Sequence, residues 1–189
     1  MTEKFKTDEK QTEAKKEDKK RFVKLLDSDQ TEIKKLEEDD IEAVMKIMKK
    51  CEFEVTEKEV RDLISQGLSF GAYVNRMLVG VGLAWPASFD ENELKIVTGT
   101  TNAIYNEDPA ILLSYEGRGI RRILLLKREE EAVAKGFIYS IAYLYEDVPK
   151  GEVSSYVRET GSQLEKLYLS ENYKFHKTKK GVLAMKKLI

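Results

Sequence analysis

Around residue 112 an apolar run gives way to a turn spaced by two glycines, and a helix pattern follows at once. The stretch reads Leu112-Leu113-Ser114-Tyr115-Glu116-Gly117-Arg118-Gly119-Ile120-Arg121-Arg122-Ile123-Leu124-Leu125. Three arginines, Arg118, Arg121 and Arg122, surround the first helical turn. A glycine turn feeding a helix N-terminus directs backbone N–H groups and positive charge at an anion, most often a phosphate. The segment therefore calls for a fold in which a strand runs directly into a helix, and it is the one place in the chain where backbone chemistry suggests a ligand.

Several phosphate-binding grammars are excluded by spacing. A P-loop needs a Gly-Lys-Ser/Thr ending, which is absent, and a dinucleotide fingerprint needs a third glycine where Arg122 stands. Two glycines alone fit an ordinary strand-to-helix connection equally well. With 189 residues the chain holds one domain, and its net charge of −1 calls for no nucleic acid. No apolar run approaches the roughly 18 residues of a membrane span, and no secretory signal opens the chain. One cysteine, Cys51, fits a reducing compartment, so a cytoplasmic location is expected. One histidine, His176, argues against a histidine metal site or a Ser-His-Asp triad, and no metal is expected. Cys51 ends an apolar helix stripe and reads as a small core side chain. His176 reads as an exposed, inert hairpin residue, and Trp85 as core or as the wall of a cleft.

Residues 1–21 form a charged tail with almost no large apolar side chains, too polar to offset its ordering entropy. A single domain over 22–189 is expected. Thr31–Leu36 suits a strand. Asp39 or Asp40 then caps a helix carrying Ile41, Val44, Met45 and Met48 on one face. Thr56 and Glu59 spell a capping box for a second helix, which Gly67 ends. Asn75-Arg76 marks a hairpin between Leu68–Val74 and Met77–Trp85, stopped by Pro86. Gly80 and Gly82 announce a bulge or a close backbone approach. One further strand lies within Glu93–Tyr105, a turn at Asn106-Glu107-Asp108-Pro109, and a strand over Ala110–Ser114. A helix from Ile120 to Lys135, a strand over Phe137–Tyr145, a helix over Ser162–Ser170 and a hairpin turning at Lys179-Lys180-Gly181 complete the order. A mixed α/β fold follows, with a central mixed sheet and helices on both faces.

The segment from Leu112 through Gly136 resembles the acyl-CoA-binding segment of the GNAT (Gcn5-related N-acetyltransferase) family, a strand followed by Arg/Gln-x-x-Gly-x-Gly/Ala and a helix. Ala132 and Gly136 match at the family's spacing, and Leu167-Tyr168-Leu169-Ser170-Glu171-Asn172-Tyr173 matches its Leu-Tyr-x-x-x-Gly-Phe with Asn for Gly. The resemblance covers about residues 31–189 and implies the GNAT-like acyl-CoA N-acyltransferase fold. Two residues depart from the pattern: Glu116 replaces Arg or Gln, and Arg121 replaces a small residue. The charged run Lys127–Glu131 departs as well, where the family has more apolar residues.

The resemblance implies transfer of an acetyl (acyl) group from acetyl-CoA, as co-substrate, to a primary amine of a small molecule or protein. It allows a homodimer. The thioester would lie in a splay between Ala110–Ser114 and Phe137–Tyr145, diverging after Leu113. Backbone groups of Leu112, Leu113 and Ser114 would hold the pantetheine arm. Amides of Gly117, Arg118, Gly119, Ile120, Arg121 and Arg122 would hold the pyrophosphate, and the arginines would balance its charge. Tyr168 stands where the family has the acid for the leaving thiolate. Glu146, with Asp147, ends the central strand and is the candidate base; Ser154 and Ser155 are weaker ones. The alternatives are a degenerate acyl-CoA-binding or regulatory module without turnover, and an unrelated phosphate binder using the same turn.

Overall fold

The computed structural model describes residues 31–145 and 147–189. The charged tail over 1–21 and the candidate base Glu146 lie outside the described residues. The elements run β1 (Thr31–Lys35), α1 (Ile41–Lys50), α2 (Glu57–Ser65), β2 (Phe70–Val74), β3 (Met77–Gly82), β4 (Ala84–Asp90), β5 (Lys95–Val97), β6 (Ala103–Asn106), β7 (Ala110–Ile111), α3 (Ile120–Ala134), β8 (Tyr139–Tyr145), α4 (Val153–Thr160), α5 (Gln163–Ser170), β9 (Lys174–Thr178) and β10 (Gly181–Lys187).

Local chemistry sets most of these boundaries. Thr56 accepts from the Glu59 amide while the Glu59 carboxylate accepts from the Thr56 N–H, which starts α2. Gly67 closes the helix at φ 68°. Asn75 and Arg76 both take positive φ, joining β2 and β3 at the Val74–Met77 pair. Asp40 does not cap α1 in the expected way: its side chain turns back to the Glu37 N–H at 2.9 Å and takes the Tyr73 hydroxyl at 2.7 Å. A single turn over Glu38–Asp40 therefore precedes the helix.

The strands form a four-stranded array, β1-β2-β3-β7, and a six-stranded one, β5-β4-β6-β8-β10-β9. All pairs are antiparallel except β6 with β8. The chain passes between the arrays twice, at Leu83 between β3 and β4 and at Glu107–Pro109 between β6 and β7. The long strand expected to stop at Pro86 thus breaks earlier, at Leu83. Pro86 sits inside β4, where β6 pairs with it but β5 reaches only Ser88, so no partner on the second side needs its missing N–H. The run expected as one strand to Tyr105 is two, β5 and β6.

β3 is the spine of the first core. Leu78, Val81 and Leu83 pack with Ile41, Val44, Ile47, Val60 and Ile64 of α1 and α2. Val79 faces the other way, with Ile120 and Leu124 of α3. A register shift opposite Ala72/Tyr73 marks the bulge expected at the glycines. At Gly80 a Cβ would meet Ile111 Cδ1 at 2.8 Å and Ile120 Cγ2 at 2.9 Å, so α3 lies against bare backbone. α5 covers β8 and β10 through Tyr168, packed with Leu125, Ala142, Tyr173 and Ala184. Asn172 takes φ 67°, the role of the glycine it replaces. α4, which the sequence pattern does not announce, packs Val153 and Val157 on Val182.

Candidate active site

The two chain crossings part the sheet. β6 and β8 pair from Ala103–Tyr139 to Tyr105–Ile141, and then β7 leaves to pair with β3. The strand expected beside β8 over Ala110–Ser114 therefore does not pair with it, so the two do not part at Leu113; it is β6 whose pairing with β8 ends, at Tyr105. The strand expected over Ala110–Ser114 is only Ala110–Ile111. Leu112 still gives its N–H to Val79 O at 2.9 Å, but Leu113–Tyr115 turn as a 3₁₀ segment, with Tyr115 N–H on Leu112 O and Glu116 N–H on Leu113 O. A strand-like ladder from Leu112–Ser114 to a ligand is thus not what this backbone offers. Leu113 instead projects into solvent, 88% exposed.

Beyond it the glycine turn takes the form the sequence predicts. Gly117 and Gly119 sit at φ 75° and 77°, and α3 starts at Ile120. Among the described residues, the N–H groups of Gly117, Gly119, Ile120 and Arg121 reach no backbone carbonyl. They rim a depression of about 150 Å3 closed on the far side by Gln163 and Leu167 of α5. The arginines are already engaged. Arg121 forks onto the Glu116 carboxylate and reaches Pro109 O at 3.3 Å. Arg122 Nε meets Glu171 at 2.5 Å, tying the start of α3 to the end of α5. The Arg118 guanidinium lies 4.8 Å from the Tyr115 ring centre. Amides with no backbone acceptor and a cationic rim fit a diphosphate, with Arg121 partly neutralised by Glu116.

A groove of about 380 Å3 runs on from the depression. It shares Ile111, Glu116 and Arg121 with it and continues along Leu113, Leu164, Pro109 and Asp108. On the other side of Asp108 lies a third cavity of about 550 Å3, between α2 and the β6–β7 crossing. Glu107 and Asp108 stand at this crossing. Burial raises the pKa of both. The Trp85 indole N–H donates to Glu107 at 2.7 Å and opposes its shift, while Arg121 and Arg128 oppose that of Asp108. Trp85 stacks on Tyr105, with ring centres 4.7 Å apart, and packs on the core around Ala87 and Phe89, so it is a core side chain whose N–H orients a carboxylate rather than the wall of a cleft.

Tyr168 is wholly buried, edge-on to Tyr173 at 4.6 Å, and its hydroxyl has no partner among the described residues. Burial raises its pKa strongly, and the Arg128 cation works in the opposite direction. Ser154 and Ser155 give their amides to Glu152, which caps α4, and Asp147 is exposed. Cys51 is partly buried, with its thiol 3.3 Å from Ile111 O. His176 is half-buried rather than exposed, with burial lowering its pKa. Among the described residues no group of His, Cys, Asp and Glu is placed to hold a metal ion, and no helix is long and apolar enough to cross a membrane.

Sequence reading missed three residues here. Glu107 and Asp108 looked like turn punctuation. Arg128 belonged to a charged helical run, yet it is 1% exposed. Its guanidinium donates to the carbonyls of Leu83 (2.8 Å), Glu107 (3.2 Å) and Leu124 (3.2 Å), stitching both chain crossings to α3. The one available signal was Gly82, where a Cβ would lie 3.1 Å from Arg128 Nε.

No protein-family model matches the chain, and no curated protein matches it in sequence. Solved structures do match in shape. The loading GNATL domain of CurA from Lyngbya majuscula aligns over 84% of this chain and 98% of its own, at 14% identity and TM-score 0.64. The GphF GNAT-like decarboxylase in complex with isobutyryl-CoA aligns over 84% and 100%, at 11% identity and TM-score 0.63. The PaiA N-acetyltransferase from Thermoplasma acidophilum, in complex with coenzyme A, aligns over 83% and 98%, at 16% identity and TM-score 0.60. The chain thus has the GNAT fold, that of the acyl-CoA N-acyltransferases, with the mixed sheet expected from its sequence.

Proposed function

We propose that the protein is an acyl-CoA-dependent N-acyltransferase that acylates a primary amine. The observation that carries this reading is a pair of cavities whose linings share Asp108 and Phe53: one leads from the glycine turn, and the other is walled by α2, Glu107 and Asp108. A cofactor arm and an acceptor entering from opposite sides would meet at the crossing where the sheet parts. Neighbours of the same fold hold coenzyme A or an acyl-CoA. Gly117, Gly119, Ile120 and Arg121 would give their amides to the diphosphate, with Arg118 and Arg122 beside it; Ile111 and Leu113 would flank the arm.

The thioester supplies an activated acyl carbon. The amine nitrogen forms the C–N bond, the C–S bond breaks, and sulfur takes the electron pair and a proton. Glu107 and Asp108 are placed to receive the proton the amine loses, and their raised pKa brings them nearer to neutral pH, where a base is effective. The family resemblance makes Tyr168 the donor to sulfur; its hydroxyl has no partner among the described residues and lies buried behind the cavity linings. The test is thiol release from acetyl-CoA over a panel of amines, with binding followed by calorimetry. Amine-dependent release supports the reading, and no acetyl-CoA binding at near-millimolar concentration overturns it. The Glu116–Arg121 pair favours one second reading, a module that binds acyl-CoA without turnover; binding with no release for any amine would select it.

A further inference from the structure

One side chain borders three cavities. Phe53, in the turn between α1 and α2, lines the groove that leads from the glycine turn and also the acceptor cavity beside α2. It lines an outer pocket of about 350 Å3 as well. Among the described residues no other belongs to all three linings, and the groove and the acceptor cavity have just one further residue in common, Asp108. The outer pocket is apolar in character: Met45 and Val55 line it, and Lys46 and Lys49 contribute their alkyl stems.

The backbone fixes where this ring starts. α1 ends in a pair of reversed hydrogen bonds, from Glu52 N–H to Lys49 O at 3.2 Å and from Phe53 N–H to Met48 O at 3.0 Å. That closure requires a left-handed residue just before Phe53, a place usually given to glycine. Glu52 takes it here, at φ 63°. Phe53 therefore leaves a closed helix end rather than a loose loop. Its side chain is half-buried and packs on the core shared by α1, α2 and β3.

Chemistry assigns the two shared residues to two parts of the reaction. An acyl group brought along the groove to an amine in the next cavity must pass the residues that line both. Asp108 is the polar one and suits the nitrogen that loses a proton. Phe53 is the apolar one and suits the carbon chain of the acyl group. Each methylene added to that chain needs further apolar space. The outer pocket is such space, and the Phe53 ring stands at its border. We propose that Phe53 sets the length of the acyl group. Its ring is the end wall of the acyl site, so the protein takes short acyl groups such as acetyl. Trimming the ring joins the site to the outer pocket and lets a longer straight chain run in beside Met45 and Val55. The inference rests on the acyl-transfer reading for the position of the thioester, and the experiment separates the two.

The test measures acetyl-, butanoyl- and hexanoyl-CoA on the full chain, by calorimetry and by thiol release over the amine panel. The readout is the ratio of hexanoyl-CoA to acetyl-CoA, in Kd and in kcat/KM. The contacts to coenzyme A are common to both donors, so general damage to the site cancels. The unaltered protein should favour acetyl-CoA. In Phe53→Ala the ratio should shift toward hexanoyl-CoA by about 10- to 100-fold. Phe53→Leu keeps an apolar side chain on the core and should shift it the same way by less; it carries the test if F53A does not fold. Met45→Trp in the F53A background fills the outer pocket and should take back most of the gain. Equal use of the three donors by the unaltered protein, a ratio that neither Phe53 variant moves, or a gain that M45W leaves intact overturns the inference and leaves acyl transfer standing. A shifted binding ratio without thiol release for any amine overturns acyl transfer and leaves the acyl wall standing. No binding of any acyl-CoA overturns both.

Discussion

Arg121 and Glu116 satisfy each other. The guanidinium of Arg121 forks onto both oxygens of the Glu116 carboxylate, and each side chain is 28% exposed. The two residues that depart from the acyl-CoA-binding pattern are therefore one ion pair rather than two separate losses. The acid does not face the glycine turn as a lone charge, and the bulky arginine is drawn toward Pro109 O. Among the described residues the amides of Gly117, Gly119 and Ile120 reach no backbone acceptor.

Replacing Glu116 by Gln should tighten acetyl-CoA binding. It removes the negative charge beside the diphosphate site and frees Arg121 for the ligand. The pair is partly screened by solvent, so the gain should be about 3- to 10-fold in Kd by calorimetry. Arg121→Ala should act in the opposite direction by a similar factor, because it strands the Glu116 carboxylate at the site. An unchanged Kd in both variants would mean that the diphosphate does not bind at this turn.

Tyr168→Phe separates packing from chemistry. The hydroxyl is buried with no partner among the described residues, so its removal breaks no hydrogen bond seen there and lifts a desolvation penalty. Stability by urea unfolding should hold within about 0.5 kcal/mol or rise, where loss of a satisfied buried hydroxyl would cost about 1 kcal/mol or more. Thiol release should fall by about 100-fold or more if the phenol is the acid. A parallel loss of stability and turnover would assign Tyr168 to the core alone.

Glu107 and Asp108 should make the fold less stable as pH rises. Burial raises their pKa in the folded chain above the unfolded values. The folded state then binds more protons, so stability is fully present below the unfolded carboxylate pKa and is lost as pH rises through the folded one. Glu107→Gln, which keeps an acceptor for the Trp85 N–H, and Asp108→Asn should therefore raise the urea midpoint at pH 7. Below the ordinary carboxylate range they should do little. The same variants should slow acyl transfer, a trade of function for stability that structural acids would not show. A midpoint lowered at pH 7 would contradict the sign.

Sequence signals were strongest where one residue decides local geometry. Thr56 with Glu59, Gly67, Asn75-Arg76 and the pair Gly117/Gly119 each fix a cap or a turn through their own backbone chemistry, and all sit where their chemistry predicts. The helix Val153–Thr160 was not visible because it buries only Val153 and Val157 and is capped by Glu152, a residue type that gives no clear start signal. The break at Leu83 directly follows Gly82, which reads in sequence as a bulge or a close backbone approach rather than as a strand end. It is held from outside by Arg128 and by the Glu107 N–H. The carboxylates of the candidate site were hidden for the same reason: Glu107 and Asp108 read as a turn, and only the parting of two sheets sets that turn between two cavities, with Asp108 in the lining of both.

Gly82 and Arg128 offer a direct test of that hidden architecture. A Cβ on Gly82 would lie 3.1 Å from Nε and 3.2 Å from Cζ of the guanidinium, and 3.2 Å from Leu124 Cβ. Gly82→Ala should thus push Arg128 and Leu124 back by a few tenths of an ångström, strain the guanidinium's hydrogen bonds to Leu83 and Glu107, and cost about 1–3 kcal/mol. Arg128→Met replaces the planar head with a flexible thioether that can give way, although it also removes a buried cation and leaves carbonyls with fewer donors. The single effect of R128M mixes those terms, so the coupling is the informative quantity. In a double-mutant cycle read by urea unfolding, G82A should cost at least about 0.5 kcal/mol less in the R128M background than alone. Strict additivity would mean that Gly82 is small for the sake of Leu124, and that the arginine does not depend on it.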